Sequence, residues 1–368
     1  MNKKETLNTV KPHTEAKISF YVQYLERYLP ILMESKFVTK INIYDMFCGA
    51  GVYDDGKEGS AVRAFNVINL IYEKYSRNKD ITLTLNDSDK ERIDKVRDYI
   101  KIFDHGFQAQ CINTDASDLI KSLINGFNCK QNHKARNLVF IDPYGYKLIK
   151  KELILGLMEN RRTEVIIFLP ISQMFRFRSK TQDEKIESSF LPLKKFIEQF
   201  SIDLSKIYTS IDLIEQVRKA FSFKDDYYST SYHIKNERGT HYALFFMSSN
   251  IYGLEKTLEV KWKLDSQQGE GFNNQFQSDL FLETDKLGEL QDDLISFLSE
   301  ERGNKDVYEF IVKKGFLPKH GNKILNELQQ SDRLIVKAEN YRKGAFYINY
   351  NNYKKNESRI RIKIKSSL

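Results

Sequence analysis

Apolar residues recur at three- and four-residue spacing along 14–33. Ile18, Tyr21, Leu25, Tyr28, Leu29 and Leu32 share one side there, which predicts an amphipathic first helix with Thr14 as its N-cap. Short apolar, β-branched runs then alternate with helical periodicity. Strands are expected at 41–47, 81–85, 107–112, 137–141 and 164–169, with helices at 60–75, 90–103, after Ser117, and at 150–160. Nearly continuous apolar strands separated by helices indicate a parallel sheet covered on both faces, and right-handed crossovers leave few topologies for it. Residues 172–222 read as a helical insertion rich in both charge signs. Two further strands, 227–235 and 240–247, flank Asn236-Glu237-Arg238-Gly239, a hairpin signal. The pattern therefore predicts a doubly wound α/β domain of seven strands over 41–272, parallel with a C-terminal antiparallel hairpin, preceded by a helix within 1–40 that packs on it.

A polar stretch at 265–270 separates this domain from a smaller one. Helical patterns at 287–300, 305–314 and 319–330 precede strands at 334–337 and 345–350 around Asn340-Tyr341-Arg342-Lys343-Gly344. Three helices and a hairpin within 285–353 read as a winged helix-turn-helix domain. Residues 354–368 form a basic tail in which Arg359, Arg361, Lys363 and Lys365 alternate with isoleucines. In a strand those cations would share one face and could track phosphates, or they could solubilise a frayed terminus. In the winged-helix reading a duplex would meet the third helix, through Lys319, His320 and Lys323, and the wing, through Arg342 and Lys343.

Composition narrows the class without naming a function. With 41% hydrophobic and 29% charged residues the chain is expected to be globular, and a formal charge of +8 is compatible with nucleic acid as a partner. No apolar run approaches the ~20 residues needed to span a bilayer, and the first residues lack the apolar stretch of a secretory signal, so cytoplasm is the expectation. Cys48, Cys111 and Cys129 have neither disulfide-framework nor metal-ligand spacing, so no metal is expected.

Candidate chemistry collects at the predicted strand ends. The first strand runs into Asp45-Met46-Phe47-Cys48-Gly49-Ala50-Gly51, where glycines allow close backbone approach to a ligand in the crevice at the carboxyl ends of the sheet. Asp87, ending the second strand, is placed to hold ribose hydroxyls. A dinucleotide site would need a third glycine, where this chain has Asp54, and an acid roughly 20 residues on, much nearer than Asp87. A phosphate-free nucleoside cofactor, S-adenosylmethionine, fits better. Asp115, after the third strand, suits the adenine amino group or, equally, a helix N-terminus where the dipole favours an acid. Lys17, near the start of the first helix, is a candidate for the cofactor's carboxylate.

Asp142-Pro143-Tyr144-Gly145 ends the fourth strand. An exocyclic amine has its lone pair delocalised into the ring. The Asp142 carboxylate and the Pro143 carbonyl, accepting its two N–H bonds, would localise that pair and aim it at an activated methyl group. Tyr144 offers a face for a base taken out of its stack. The bland alternative is a turn, since Asp-Pro-x-Gly is common turn chemistry.

The spaced set resembles the three-Cys-motif partner family over roughly 12–272. It comprises Thr14-Glu15-Ala16-Lys17, Asp45-x-Phe47-x-Gly49-x-Gly51, Tyr53, Gly59-Ser60, Asp87-Ser88-Asp89-Lys90-Glu91-Arg92, Phe140-Ile141-Asp142-Pro143-Tyr144-Gly145, Gly253-Leu254 and Trp262-Lys263-Leu264-Asp265. The resemblance implies an S-adenosylmethionine-dependent methyltransferase; the candidate cofactor residues are Lys17, Asp45, Phe47, Gly49, Gly51, Asp87 and Asp115, and the candidate catalytic ones Asp142, Pro143 and Tyr144. It also implies a separate three-cysteine partner protein similar to radical S-adenosylmethionine enzymes. Members carry Ala-Gly-Pro-Gly-Arg-Tyr where this chain has Cys48-Gly49-Ala50-Gly51-Val52-Tyr53. The Asp-Pro-aromatic-Gly motif is also similar to that of enzymes dimethylating a guanosine amine in transfer RNA, and to the Asp-Pro-Pro-Tyr of DNA adenine methyltransferases. The alternative function is a non-catalytic module on the same scaffold.

Overall fold

A computed structural model describes residues 9–365 apart from 76–77, 104, 128–131, 184, 274–285, 339–341 and 357. Cys129, Asn340 and Tyr341 lie outside the described residues. The chain divides into two compact units, 1–275 and 276–368.

In the first unit, α1 (Pro12–Glu34) precedes β1 (Lys40–Asp45), α2 (Ser60–Lys74), β2 (Asp80–Asn86), α3 (Lys90–Lys101), β3 (Gln108–Ile112), α4 (Ala116–Phe127), β4 (Ala135–Ile141), α5 (Lys151–Met158) and β5 (Thr163–Leu169). The insertion supplies α6 (Ile171–Phe177), α7 (Leu191–Gln199) and α8 (Ser210–Ala220). The hairpin strands β6 (Tyr228–Lys235) and β7 (His241–Ser248) follow, then α9 (Ile251–Leu264) and β8 (Gly271–Asn273). The sheet order is β3-β2-β1-β4-β5-β7-β6-β8. Strands β1–β5 are mutually parallel, and β7 runs antiparallel to both β5 and β6. Up to β6 this is the strand order of class I methyltransferases.

Among the described residues the sheet has eight strands where seven were expected. Gly271–Asn273 adds beside β6, parallel to it, with His233 opposite Gly271. A Cβ at 271 would sit 2.3 Å from the His233 carbonyl oxygen, so only glycine permits this pairing.

Alternate strand residues face opposite layers, as the pleat requires. Ile43, Leu83, Phe140 and Ile166 join one core with α1 and α2, whereas Tyr44, Val139, Ile141, Val165 and Ile167 join the other with α4, α5 and the insertion. The first helix is part of the domain: the Tyr21 ring stacks on Phe140 at 4.3 Å, and Tyr21, Tyr24, Leu25 and Leu29 are buried. Each large buried side chain contributes roughly 1.5–3 kcal/mol of apolar burial. The helix starts at Pro12, two residues before the expected cap, with Lys11 at the N-cap. Proline's fixed φ and missing N–H suit a first helical turn, so Thr14 falls inside it.

The second unit contains α10 (Lys286–Phe297), β9 (Arg302–Gly303), α11 (Asn304–Lys313), α12 (Pro318–Gln330), β10 (Leu334–Lys337), α13 (Tyr350–Lys354) and β11 (Arg361–Ile364). All three expected helices form, but the expected hairpin does not. β10 pairs with β11, the middle strand of the order β10-β11-β9, and 345–350 forms no ladder. Phe346 and Ile348 are buried, which made that segment read as a strand, but Tyr347 between them has φ 54°, outside the extended region. Within the segment expected as a basic tail over 354–368, Arg361–Ile364 forms the central strand of this sheet, and Ile360 and Ile362 are buried.

Candidate functional site

A cavity of about 590 Å³ opens at the carboxyl ends of the parallel strands, where open α/β sheets hold their ligands. It is lined by residues after β1 (Phe47 to Tyr53), after β2 (Asp87), after β4 (Asp142 to Gly145) and at the end of β5 (Phe168, Pro170), together with the start of α1.

The strand ends are tied to one another. The Asn86 amide donates to the carbonyls of Met46 (3.1 Å) and Thr114 (3.2 Å), linking the ends of β1, β2 and β3. Asp87 accepts from the Gly49 N–H at 3.1 Å through one oxygen and from the Asp89 N–H at 2.9 Å through the other. Gly49 and Gly51 have φ of 64° and 80°, the left-handed region that favours glycine. A Cβ at Gly51 would lie 3.0 Å from Val96 Cγ2 and 3.2 Å from Val62 Cγ2, whereas one at Gly49 would meet nothing within 4 Å. The loop thus packs at Gly51 and stays open at Gly49.

Asp45 is fully buried and does not line the cavity. It accepts from the Ser60 hydroxyl at 2.6 Å and the Phe47 N–H at 3.3 Å, fastening the loop to the start of α2. Burial pushes its carboxyl up to about 7, against those two hydrogen bonds. Asp115 also stays outside the lining. It is exposed and accepts from the Ser117 N–H at 2.8 Å at the start of α4, which is the helix-terminus alternative.

Asp142, Pro143 and Tyr144 all line the cavity. The Tyr144 ring is 89% exposed, and its hydroxyl accepts from the Arg92 guanidinium at 3.5 Å. The Pro143 carbonyl already accepts from the Gly145 N–H at 3.0 Å, which leaves one lone pair for a ligand. Lys17 reaches into the same cavity, and its ammonium donates to and pairs with Asp142. Its Nζ also lies 4.9 Å from the centre of the Phe168 ring. Burial alone would lower the Lys17 pKa, but the Asp142 charge and hydrogen bond outweigh it and raise it, keeping the ammonium charged.

Periodicity did not reveal an aromatic stack in the lining. His13 stacks on Tyr242 at 4.8 Å with rings 3° apart, and Tyr242 stacks on Phe168 at 5.4 Å and 10°. All three rings line the cavity. They come from the start of α1, β7 and β5, so only the fold assembles them. Burial lowers the His13 pKa, helped by the charges of Lys11 and Lys17.

In the second unit Lys319, Lys323, Arg342, Lys343, Arg359, Arg361 and Lys365 are exposed and Lys363 is half-buried. Acids answer part of the expected stripe. Glu301 pairs with Lys337 (2.5 Å) and Arg361 (3.6 Å), and Asp332 pairs with Lys365 (2.6 Å). Among the described residues no helix is long and apolar enough to cross a membrane, and no group of three or more His, Cys, Asp or Glu could hold a metal ion.

No protein family and no curated protein matches the chain. Solved structures similar to it include a Listeria monocytogenes protein assigned as a class I S-adenosylmethionine-dependent methyltransferase, at 14% identity and TM-score 0.31, covering 66% of this chain and 63% of that one. The Streptomyces achromogenes O-methyltransferase TomG, solved with S-adenosylmethionine, is 8% identical at TM-score 0.33, covering 62% of this chain and 80% of that one. A Pyrococcus horikoshii protein assigned as an RNA methyltransferase is 12% identical at TM-score 0.29, covering 67% and 93%. The chain thus spans less than two thirds of the length of the Listeria protein. Likenesses this slight leave the fold resting on the strand order and the site on its own residues.

Proposed function

We propose that the chain is an S-adenosylmethionine-dependent methyltransferase acting on an exocyclic amine of a nucleobase in nucleic acid. One observation carries the reading: a two-glycine loop, Asp87 and Asp142-Pro143-Tyr144 line a single cavity at the carboxyl ends of the strands. The donor set suits the cofactor. Both Asp87 oxygens retain a lone pair for ribose hydroxyls, and the loop stays open above Gly49. Bound there, S-adenosylmethionine supplies an electrophilic methyl group. Asp142 and the remaining lone pair of the Pro143 carbonyl accept the N–H bonds of the acceptor amine, which frees its lone pair without prior deprotonation. The exposed Tyr144 ring stacks on the base.

The second unit is read as a winged helix, from helices α10, α11 and α12 and a three-stranded antiparallel sheet. Lys319 and Lys323 on α12, with Arg342, Lys343, Arg359, Arg361, Lys363 and Lys365, are its proposed phosphate contacts. The resemblance to three-Cys-motif partner proteins extends the proposal to a three-cysteine partner protein.

Calorimetric titration with S-adenosylhomocysteine tests the reading. Asp87→Ala is expected to weaken binding by about 1–3 kcal/mol, the usual cost of losing such hydrogen bonds, and no binding to the wild-type protein would overturn the proposal. The Lys17–Asp142 ion pair favours a second reading, a non-catalytic module in which Asp142 is a structural partner. Oligonucleotide binding without any binding of S-adenosylhomocysteine selects that reading.

A further inference from the structure

The carboxylate assigned to the acceptor amine is already engaged. Lys17 donates to Asp142 from the first helix, 125 positions away in sequence, and the pair is mostly buried, with side-chain exposures of 12% and 23%. An ammonium on Asp142 has the donor character of an acceptor amine and takes up the charge that should polarise one. The same lysine faces the loop side of the cavity, where Tyr53 and Asp45 act on it electrostatically, and Thr14 and Gly49 to Tyr53 line the cavity with it.

We propose that Lys17 exchanges partners during the reaction cycle. It neutralises Asp142 in the free protein and moves to the carboxylate of the methyl donor's amino-acid end once the donor binds, leaving Asp142 charged for the acceptor. The proposal rests on the methyl-donor reading of the cavity and adds an order to it. The donor binds first, because only its carboxylate repays the ion pair that Lys17 gives up, and an ammonium leaving a buried carboxylate needs another anion. Until then the acceptor amine must compete with Lys17 for Asp142. Phe168, under the lysine in the free protein, offers a face along which the ammonium keeps a partner as it moves. Lys17 is thus a positioning residue acting through Asp142.

The test compares S-adenosylhomocysteine with 5′-methylthioadenosine, which lacks the amino-acid end. Neither carries a sulfonium charge that would itself respond to Asp142. Affinities are measured by calorimetry for wild type, Asp142→Asn, Lys17→Met and the double variant. Asp142→Asn releases Lys17 and is expected to bind S-adenosylhomocysteine about tenfold more tightly, and Lys17→Met about tenfold more weakly, the size expected for one charge-assisted hydrogen bond. Methylthioadenosine affinity stays unchanged in both, and in the Lys17→Met background Asp142→Asn has no further effect. If Lys17→Met does not fold, Asp142→Asn against wild type on the two ligands still decides. Equal S-adenosylhomocysteine affinity in wild type and Asp142→Asn, or an equal gain with methylthioadenosine, overturns the exchange alone. Failure of both ligands to bind any of the folded proteins overturns the methyl-donor reading, and the exchange with it.

Discussion

Replacing Asp45 by Asn should make the first unit's stability less sensitive to pH, by an amount that follows from burial of the carboxyl. The side chain is inaccessible to solvent, and its pKa rises from 3.8 to about 7 because burial penalises the charged form more than Ser60 and the Phe47 N–H stabilise it. Below pH 3.8 the group is protonated in both folded and unfolded chains, so its contribution to stability is complete. As pH rises towards 7 the folded chain holds a proton that the unfolded chain has lost, and stability falls. Above 7 both forms are ionised and the loss is complete. A tenfold difference in proton affinity between the two states is worth about 1.4 kcal/mol, so the whole loss is about 4 kcal/mol, and about 3 kcal/mol of it falls between roughly pH 5 and pH 8. An asparagine at this position does not titrate, while other groups, Glu164 among them, contribute to both proteins and cancel in the comparison. Trp262, the chain's single tryptophan, is buried in α9 and reports on this unit in urea denaturation followed by fluorescence. The stability of Asp45→Asn relative to wild type should therefore rise by about 3 kcal/mol from roughly pH 5 to pH 8. A difference that does not change with pH would mean that Ser60 and the Phe47 N–H hold Asp45 ionised in the fold, and would refute the reasoning.

The glycine loop makes a second comparison. Gly51→Ala should cost about 2–4 kcal/mol, combining left-handed backbone strain with overpacking against Val96 and Val62, whereas Gly49→Ala should cost only the ~1–2 kcal/mol of strain; equal losses by Trp262 fluorescence would contradict the geometry. Deleting 359–368 removes the middle strand of the second unit, so amide exchange should show loss of protection in α11 and α12, and an intact unit would contradict that pairing. Lys319→Ala with Lys323→Ala should flatten the slope of log affinity against log salt for an oligonucleotide by roughly 1–2, and an unchanged slope would remove α12 from the interface.

The inner parallel strands β1, β2, β4 and β5 were legible because they are buried on both faces, which leaves near-continuous apolar runs such as 137–141 and 164–169. The Asp142-Pro143-Tyr144 motif and the two glycines were legible because a strand end carries its chemistry locally. Long-range pairing was hidden. Nothing near Lys17 announces Asp142, and the rings of His13, Phe168 and Tyr242 meet only after the sheet has assembled. Strand choice in the second unit failed for a related reason. Segments 345–350 and 359–365 both bury alternate apolar residues, Phe346 and Ile348 in one and Ile360 and Ile362 in the other, and the left-handed φ of Tyr347, invisible in a residue pattern, takes the first out of extended geometry. At Asp115 two roles were open, and its carboxylate accepts from the Ser117 N–H at the start of α4.

The central claim is methyl transfer directed by Asp142, and one measurement bears on it most directly. Purified protein is incubated with methyl-labelled S-adenosylmethionine and total cellular RNA or DNA, and label incorporated into nucleosides is compared for wild type and Asp142→Ala, with cofactor affinity measured on both. The account predicts labelled N-methylated nucleoside with the wild-type protein. It also predicts a loss of transfer in Asp142→Ala far larger than any loss of cofactor affinity, because the carboxylate's contact strengthens as positive charge builds on nitrogen. Undiminished transfer by Asp142→Ala would contradict it and return Asp142-Pro143-Tyr144-Gly145 to an ordinary turn.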